Sequence, residues 1–266
     1  MDAGVLPAGC SVLAIGAVAS LAAGVATGVG ALPVLVVRAI SLRLQDTMLG
    51  FGAGVMLAAT SFSLVAPGIE AASGLWGSEV LAALVVGLGI LAGGVFLWLS
   101  DRFFPHEHFI TGREGVAASR LRRIWLFVIA ITLHNFPEGL AVGVGFGGGD
   151  LGNGLSLAVG IGLQNMPEGL AVAVALVSEG YSRRYALLVA LATGLVEPVG
   201  GVLGAGAVSV AAALLPWGLA GAAGAMLYVI SDEIIPETHR KGFEKPATFG
   251  LMVGFVVMMI LDVTLS

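Results

Sequence analysis

Two stretches of the chain carry the same polar pattern inside long apolar runs. Residues 134–139 read His-Asn-Phe-Pro-Glu-Gly, and residues 164–169 read Gln-Asn-Met-Pro-Glu-Gly. In each stretch the first and fifth residues are four apart, so on a helix they share one face. The proline between them lacks an N–H and displaces the carbonyl four residues earlier, which exposes the carbonyls of Leu133 and Leu163 as further ligands. The repeat predicts two neighbouring helices that present one set of polar groups to a central site.

The acidic residues of these runs indicate what such a site binds. Glu138, Glu168 and Glu197 lie in apolar runs that hold no Lys or Arg, and a carboxylate in hydrocarbon costs roughly 2.5–3.5 kcal/mol on insertion scales. A proton or a metal ion must therefore supply positive charge. A single intramembrane His or Glu is commonly a packing residue, but imidazole, carboxylates and amides together suit Zn²⁺, Fe²⁺, Mn²⁺ or Cd²⁺. Three glutamates are near charge balance with either one or two divalent ions.

The composition places these residues in a membrane protein. The 266-residue chain is 58% hydrophobic and 11% charged, contains 41 glycines, and has a mean hydropathy of +1.01. An ordinary soluble domain has about 25% charged residues, so this chain has too few to cover a soluble surface. A pI near 5.3 without a basic tract excludes nucleic-acid binding. Cys10 is the single cysteine, which excludes a disulfide scaffold.

Continuous apolar runs of about 20 residues predict transmembrane helices rather than the alternating strands of a barrel. Eight spans are predicted, at about 9–37, 46–68, 79–100, 124–146, 155–178, 185–210, 217–235 and 247–265. The first run begins like a signal peptide, but it lacks a charged start and is long, so it is interpreted as a span of the mature protein. Glycines four residues apart, such as Gly50 and Gly54 or Gly139 and Gly143, predict close helix packing.

The basic residues predict the orientation of these spans. All twelve Lys and Arg residues fall between spans one and two, three and four, five and six, or seven and eight. The positive-inside rule makes that side cytoplasmic, which places both termini outside the cytoplasm and the loop at 101–123 inside it. The sequence therefore predicts a single transmembrane domain over residues 1–266, embedded in the lipid bilayer.

The paired motifs resemble those of the ZIP (Zrt-, Irt-like protein) family of divalent metal transporters. Gly-Phe-Gly-Ala-Gly-Val-Met at residues 50–56 and Ser-Asp-Glu-Ile-Ile-Pro-Glu-Thr-His-Arg at residues 231–240 add to a resemblance that covers nearly the whole chain and is greatest to the bacterial GufA-like branch. It implies an all-α fold of eight helices in a 3+2+3 arrangement, in which spans one to three are mirrored by spans six to eight as an inverted repeat. It also implies a homodimer in the cytoplasmic (inner) membrane.

The resemblance also implies which residues hold metal. A first site would comprise Met56, His134, Glu138, Gln164, Glu168 and Glu197. A second, adjacent site would comprise Asn135, Glu138, Asn165, Glu168 and Glu197, with the glutamates bridging two ions. Relatives often have Asp where this chain has Asn165 and His where it has Asp232. The missing carboxylate at Asn165 predicts that the second ion is bound weakly or not at all.

Charged residues near both ends of the spans are candidates for the entrance and exit of the ion. Asp262, near the outer end of span eight, either attracts cations or is an interfacial residue. The cytoplasmic candidates are Asp101, His106, His108, Asp232, Glu233 and His239. The His-Glu-His sequence at 106–108 reads either as a transient metal-release site or as a solvated loop face.

The resemblance therefore implies a divalent transition-metal uptake transporter that prefers zinc and also carries Cd²⁺, Fe²⁺ or Mn²⁺. The transported ion is the only bound metal expected, with no cofactor, and spans four to eight are expected to move as an elevator-like core in alternating access. A metal-selective channel with the same site is the alternative, because carboxylate rings also select cations. An intramembrane metalloprotease would need His-Glu-x-x-His, and a carrier of organic anions would need an intramembrane cation; neither is present.

Overall fold

The computed structural model describes residues 11–37, 40–103, 106–108, 112–114, 123–240 and 242–265. Within these ranges, eight helical segments are long and apolar enough to cross a membrane. They are span one Val12–Leu35, span two Leu42–Trp76, span three Glu79–Ser100, span four Phe127–Gly147, span five Leu151–Ser178, span six Arg183–Val210, span seven Ala212–Thr238 and span eight Glu244–Leu265. The chain is an all-α, multi-pass membrane protein, which confirms the predicted fold class.

The individual helices are shorter than the spans because several spans are interrupted. The helices are α1 Val12–Ala31, α2 Leu42–Ala58, α3 Ala66–Trp76, α4 Glu79–Phe103, α5 Arg123–Gly147, α6 Leu151–Ser178, α7 Arg183–Gly194, α8 Glu197–Val210, α9 Leu215–Val229, α10 Ile235–Thr238 and α11 Glu244–Leu265. The loop before α5 holds a small antiparallel hairpin of β1 His106–His108 and β2 Gly112–Glu114. The sequence predicted a loop here without a strand pair.

Spans two and seven each contain a π-helical segment, at Ala59–Val65 and Ile230–Ile234. Each segment is followed within two residues by a proline, Pro67 or Pro236. Proline has no N–H for the helix ladder and crowds the preceding turn, and the backbone bonds before it widen accordingly: Ala66 N–H donates to Ser61 O, five residues earlier. The helical path therefore bends without ending, and span two extends beyond its predicted limits of 46–68.

Span six is broken in the middle. Helix α7 ends at Gly194 and α8 begins at Glu197, so Leu195 and Val196 separate two half-helices. Pro198 occupies the first turn of α8, where its fixed φ and missing N–H are tolerated. Pro198 has no N–H to donate to the carbonyl oxygen of Gly194, four residues earlier, so it explains why the long apolar run does not form one continuous helix.

Helix contacts divide the spans into two bundles. In the site bundle, span one packs on span five and span four packs on span six; in the flanking bundle, span two packs on span eight and span three packs on span seven. The predicted inverted repeat pairs span one with span six, two with seven, three with eight and four with five. This pairing converts the contact between spans one and five into that between spans six and four. It likewise converts the contact between spans two and eight into that between spans seven and three. Spans seven and eight pack mainly with spans two and three, whereas the movement of spans four to eight as one core stays a prediction.

Glycines allow these helix pairs to touch backbone to backbone. Gly50 and Gly54 on α2 face Gly250 and Gly254 on α11, and a Cβ atom on Gly54 would lie 1.9 Å from the carbonyl oxygen of Leu251. Such a contact leaves no room for any side chain, which explains the small-residue pattern. The predicted packing role of the glycines four residues apart is confirmed at this crossing.

Candidate metal centre

The two repeated stretches lie at mid-length of α5 and α6, which pack against each other. Pro137 and Pro167 lie inside these helices without ending them. The six polar side chains of the stretches are at most 4% exposed: His134, Asn135, Glu138, Gln164, Asn165 and Glu168. The structure therefore buries both sets of polar side chains on two helices that pack against each other.

The glycine after each glutamate brings a further helix close to the site. A Cβ atom on Gly139 would lie 2.0 Å from the backbone oxygen of Glu197, and one on Gly169 would lie 1.8 Å from the backbone oxygen of Thr27. The first contact brings the start of α8 against α5. Glu197, the first residue of α8, is fully buried, and its position at a helix N-terminus favours a negative charge.

Asn165 ties Glu197 to the rest of the site. Its Nδ2 donates to Glu197 Oε1 at 2.6 Å and to the carbonyl oxygen of Ala23 at 2.9 Å, and its Oδ1 accepts from Gln164 Nε2 at 3.2 Å. The amide thus supports one oxygen of a buried carboxylate and joins α6 to α1 and α8. An aspartate carboxylate at this position would have no N–H with which to make the first two contacts.

The three glutamates repel one another across the site. Glu138 interacts electrostatically with Glu168 and Glu197, and Gln164 lies within its reach. On the amide and carboxylate side chains of the two stretches and Glu197, seven buried atoms have no hydrogen-bond partner among the described residues: both of Asn135, both of Glu138, and one each of Gln164, Glu168 and Glu197. Buried polar atoms are rarely left unpaired, so a concentration of such atoms around like charges points to a cation as the missing partner.

Glu233 lies beside His134 at the site, although the sequence predicted it at the cytoplasmic exit. His134 Nε2 lies 3.0 Å from Glu233 Oε1, and Glu168 interacts electrostatically with both residues. The sequence predicted Glu233 only as an exit residue on the cytoplasmic side, although it lies within the predicted seventh span. An acidic residue between Ile230 and Ile234 in an apolar run is the same signal that identified the other three glutamates.

The predicted ligands are grouped but do not surround a common point closely. The described part of the chain holds no group of three or more His, Cys, Asp or Glu side chains arranged to coordinate a metal ion. Met56 is buried on α2, in the apolar cluster that lies between the two bundles, and α2 packs on α6. The arrangement is that of separated ligands which an ion would have to draw together.

The other predicted residues lie away from this region. Asp262 accepts hydrogen bonds from Ser63 Oγ and, at 3.3 Å, from Ser156 Oγ, so it joins α11, span two and α6. The ring of His239 contacts Ile235 O and the hydroxyl groups of Thr238 and Thr248. Asp232 is exposed. The side chains of Asp101, His106 and His108 lie outside the described residues.

Comparisons with known proteins agree with this architecture. A family model described as ZIP Zinc transporter matches residues 106–262. Zinc transporter GufA of Myxococcus xanthus is 53% identical over 251 residues, which cover 94% of this chain and 99% of that protein. Zinc transporter ZIPB of Bordetella bronchiseptica is 52% identical over 91% of this chain and 78% of its own length. Human zinc transporter ZIP11 is 36% identical over 90% of this chain and 94% of its own length.

The three relatives match 90–94% of this chain, and the family model covers both repeated stretches. They agree with the resemblance that the paired motifs carry. The chain belongs to the ZIP zinc transporter family, in its bacterial GufA-like branch, and is a membrane transporter rather than an enzyme.

Proposed function

We propose that this protein carries divalent transition-metal ions, with Zn²⁺ as the preferred substrate, into the cytoplasm. The observation that carries the proposal is the set of seven buried, unpartnered polar atoms on the amide and carboxylate side chains of spans four, five and six. Zinc accepts nitrogen and carboxylate oxygen ligands, and Cd²⁺, Fe²⁺ and Mn²⁺ accept similar sets. The printed names of the relatives describe zinc transporters, which supports the same substrate here.

In the proposed cycle, an ion that arrives from outside loses its water shell to side chains of the site. Glu138 and Glu168 supply carboxylate oxygens, and their mutual repulsion falls when a cation lies between them. His134 exchanges its contact with Glu233 for the metal. Glu233 can contact His134 again when the ion leaves. The contact between Glu233 and His134 therefore favours release of the ion on the side where span seven carries its acidic residues.

We propose one tightly bound ion rather than two. The second ion would be held by Asn135, Asn165 and the bridging glutamates, but Asn165 already donates to Glu197 at 2.6 Å. A metal ion at that position would meet an N–H donor instead of a carboxylate, and the hydrogen bond would have to break before the amide oxygen could turn to the ion.

An elevator-type carrier fits this arrangement better than a channel. The ligands on α5, α6 and α8 belong to one bundle and are at most 4% exposed, so neither side of the membrane reaches them without movement of that bundle. The Lys and Arg distribution supports a cytoplasmic basic side with both termini outside. Residence in the bacterial inner membrane as a homodimer is the assembly that the family resemblance implies.

The direct test is metal flux into proteoliposomes, with radioactive ⁶⁵Zn²⁺ as tracer. His134→Ala and Glu138→Ala each remove a proposed ligand, and each is expected to lower uptake by at least about tenfold. Glu70→Ala removes an exposed glutamate of span two and serves as the matched control, with uptake close to that of the wild type. Normal uptake by both site variants would overturn the assignment of the site.

A further inference from the structure

A large cavity lies between spans two and eight, away from the metal centre. Its volume is about 860 Å³, and it opens beside the first turns of α2 and α11. Arg43 and Lys245 stand at these first turns, whereas Met48, Phe51, Phe249 and Val253 form apolar walls further along the helices. Cavities of roughly 300–1,000 Å³ are of the size that holds small ligands.

The cavity follows from the way α2 and α11 cross. The glycines at 50, 54, 250 and 254 bring the two backbones into contact, so the larger side chains are displaced to either side of the contact line. On the side of the cavity, Phe249 is 67% exposed and Val253 is 55% exposed. The cavity is therefore a groove that is open toward the membrane rather than an enclosed void.

Two cations, Arg43 and Lys245, line the opening of the groove. Neither the Arg43 guanidinium nor the Lys245 ammonium group pairs with an acidic side chain in the described ranges, and Glu244, the adjacent acidic residue in the chain, does not line the groove. The groove thus combines positive charge at the end of the two spans with apolar walls deeper in the bilayer.

We propose that this groove binds one anionic phospholipid, with the phosphate group between Arg43 and Lys245 and an acyl chain along Phe249 and Val253. Basic pockets between transmembrane helices bind anionic headgroups, and guanidinium groups suit phosphate geometry. The order of charge and apolar surface along the groove matches the order of headgroup and chain in a lipid. The lipid would stabilise the flanking bundle and would not contact the metal ligands.

Native mass spectrometry of the purified, delipidated protein with added phosphatidylglycerol or phosphatidylcholine tests the proposal. The double variant Arg43→Gln/Lys245→Gln is expected to bind phosphatidylglycerol roughly 25-fold more weakly, about fivefold for each cation removed. The control Arg102→Gln/Arg184→Gln removes two other exposed cations from the same side and should leave binding unchanged. Equal weakening by both pairs, or equal binding of both lipids by the wild type, would overturn the proposal.

A second variant tests the apolar wall while both charges stay in place. Val253→Trp fills the groove from an exposed position and is expected to weaken phosphatidylglycerol binding to the same extent as the charge variant. Two competing occupants have distinct outcomes, and each would refute the lipid site. Displacement of the lipid by millimolar inorganic phosphate would indicate a free-anion site, and loss of a dimer mass instead of lipid occupancy in Val253→Trp would indicate an interface between copies.

Discussion

The amide of Asn165 makes two contacts that a carboxylate at this position could not make. Its Nδ2 donates to Glu197 at 2.6 Å and to the backbone of Ala23 at 2.9 Å, so it partly compensates a buried negative charge without any ion. If the position of Asn165 holds an aspartate, a second cation must compensate the buried negative charge of Glu197. We therefore propose that this one neutral amide makes the site a one-ion site rather than a two-ion site.

Asn165→Asp is expected to raise the number of bound Zn²⁺ ions from about one toward two, because a bridging carboxylate replaces a hydrogen-bond donor. In metal-free buffer the variant should be less stable by about 2 kcal/mol, since Glu197 loses its donor and gains a like charge. Zinc should restore that stability. Isothermal titration calorimetry gives the stoichiometry, and thermal unfolding in detergent gives the stability.

Asn153→Asp is the control for this substitution. Asn153 is a buried asparagine in the first turn of the same helix, about three turns from Asn165. It should leave the zinc stoichiometry at the wild-type value. An unchanged stoichiometry in Asn165→Asp as well would contradict the account of the second site.

Two pairs of helices position the glutamates of the site through direct contact between their backbones. The backbone of α8 at Glu197 lies directly against Gly139 of α5, and the backbone of α1 at Thr27 lies against Gly169 of α6. Because these glycines follow Glu138 and Glu168 directly, the closest approach of each pair coincides with the glutamates. The same two glycines therefore allow the helices to pack closely and determine where the two glutamates lie.

Gly139→Ala should destabilise the protein by about 1–3 kcal/mol, the usual range for overpacking, because its Cβ would lie 2.0 Å from a backbone oxygen that cannot turn away. It should also weaken zinc binding, since α8 must shift and carry Glu197 with it. Gly206→Ala on α8 has no atom within 4 Å of the added Cβ and should be neutral or gain about 0.5–1 kcal/mol. Thermal unfolding and zinc titration of both variants measure these effects, and equal stability of the two would refute the packing account.

The sequence predicts the elements better than it predicts how they bend and group. Apolar runs and the repeated stretches indicate the eight spans and seven of the buried polar residues, because burial of a long helix in lipid depends on composition alone. The break before Glu197 and the π segments depend on how Pro198, Pro67 and Pro236 are accommodated in the packed bundle. The contact between His134 and Glu233 joins residues 99 positions apart, and no local pattern encodes such a pairing.

At the scale of the whole molecule, the proposed ligands are unevenly divided between the two bundles. The ligands on α5, α6 and α8 all belong to the site bundle, whereas the proposed ligand Met56 belongs to the flanking bundle, as does Glu233, the partner of His134. If the site bundle moves as a body, it carries most of the coordination shell with it. The contacts with Met56 and Glu233 then change between the two ends of the movement.

A disulfide between the bundles should therefore stop transport. A Cβ atom on Gly218 of α9 would lie 3.6 Å from the Cβ of Val144 on α5, a separation that suits a disulfide. In a Cys10→Ser background, oxidation of Gly218→Cys/Val144→Cys is expected to reduce ⁶⁵Zn²⁺ uptake in proteoliposomes to background, and reduction should restore it. The pair Gly68→Cys/Leu219→Cys has the same separation, 3.6 Å, but lies within the flanking bundle, so its oxidation should leave uptake as it is in the reduced state.

The same pair of variants separates a carrier from a channel. A channel keeps its pathway open while its helices stay in place, so a cross-link between the bundles would leave flux through it intact and proportional to the zinc concentration. A carrier must expose the site alternately to each side, and its flux saturates once the site is filled. Undiminished uptake by the oxidised Gly218→Cys/Val144→Cys variant, with the disulfide verified by mass spectrometry, would refute the moving bundle and favour the channel.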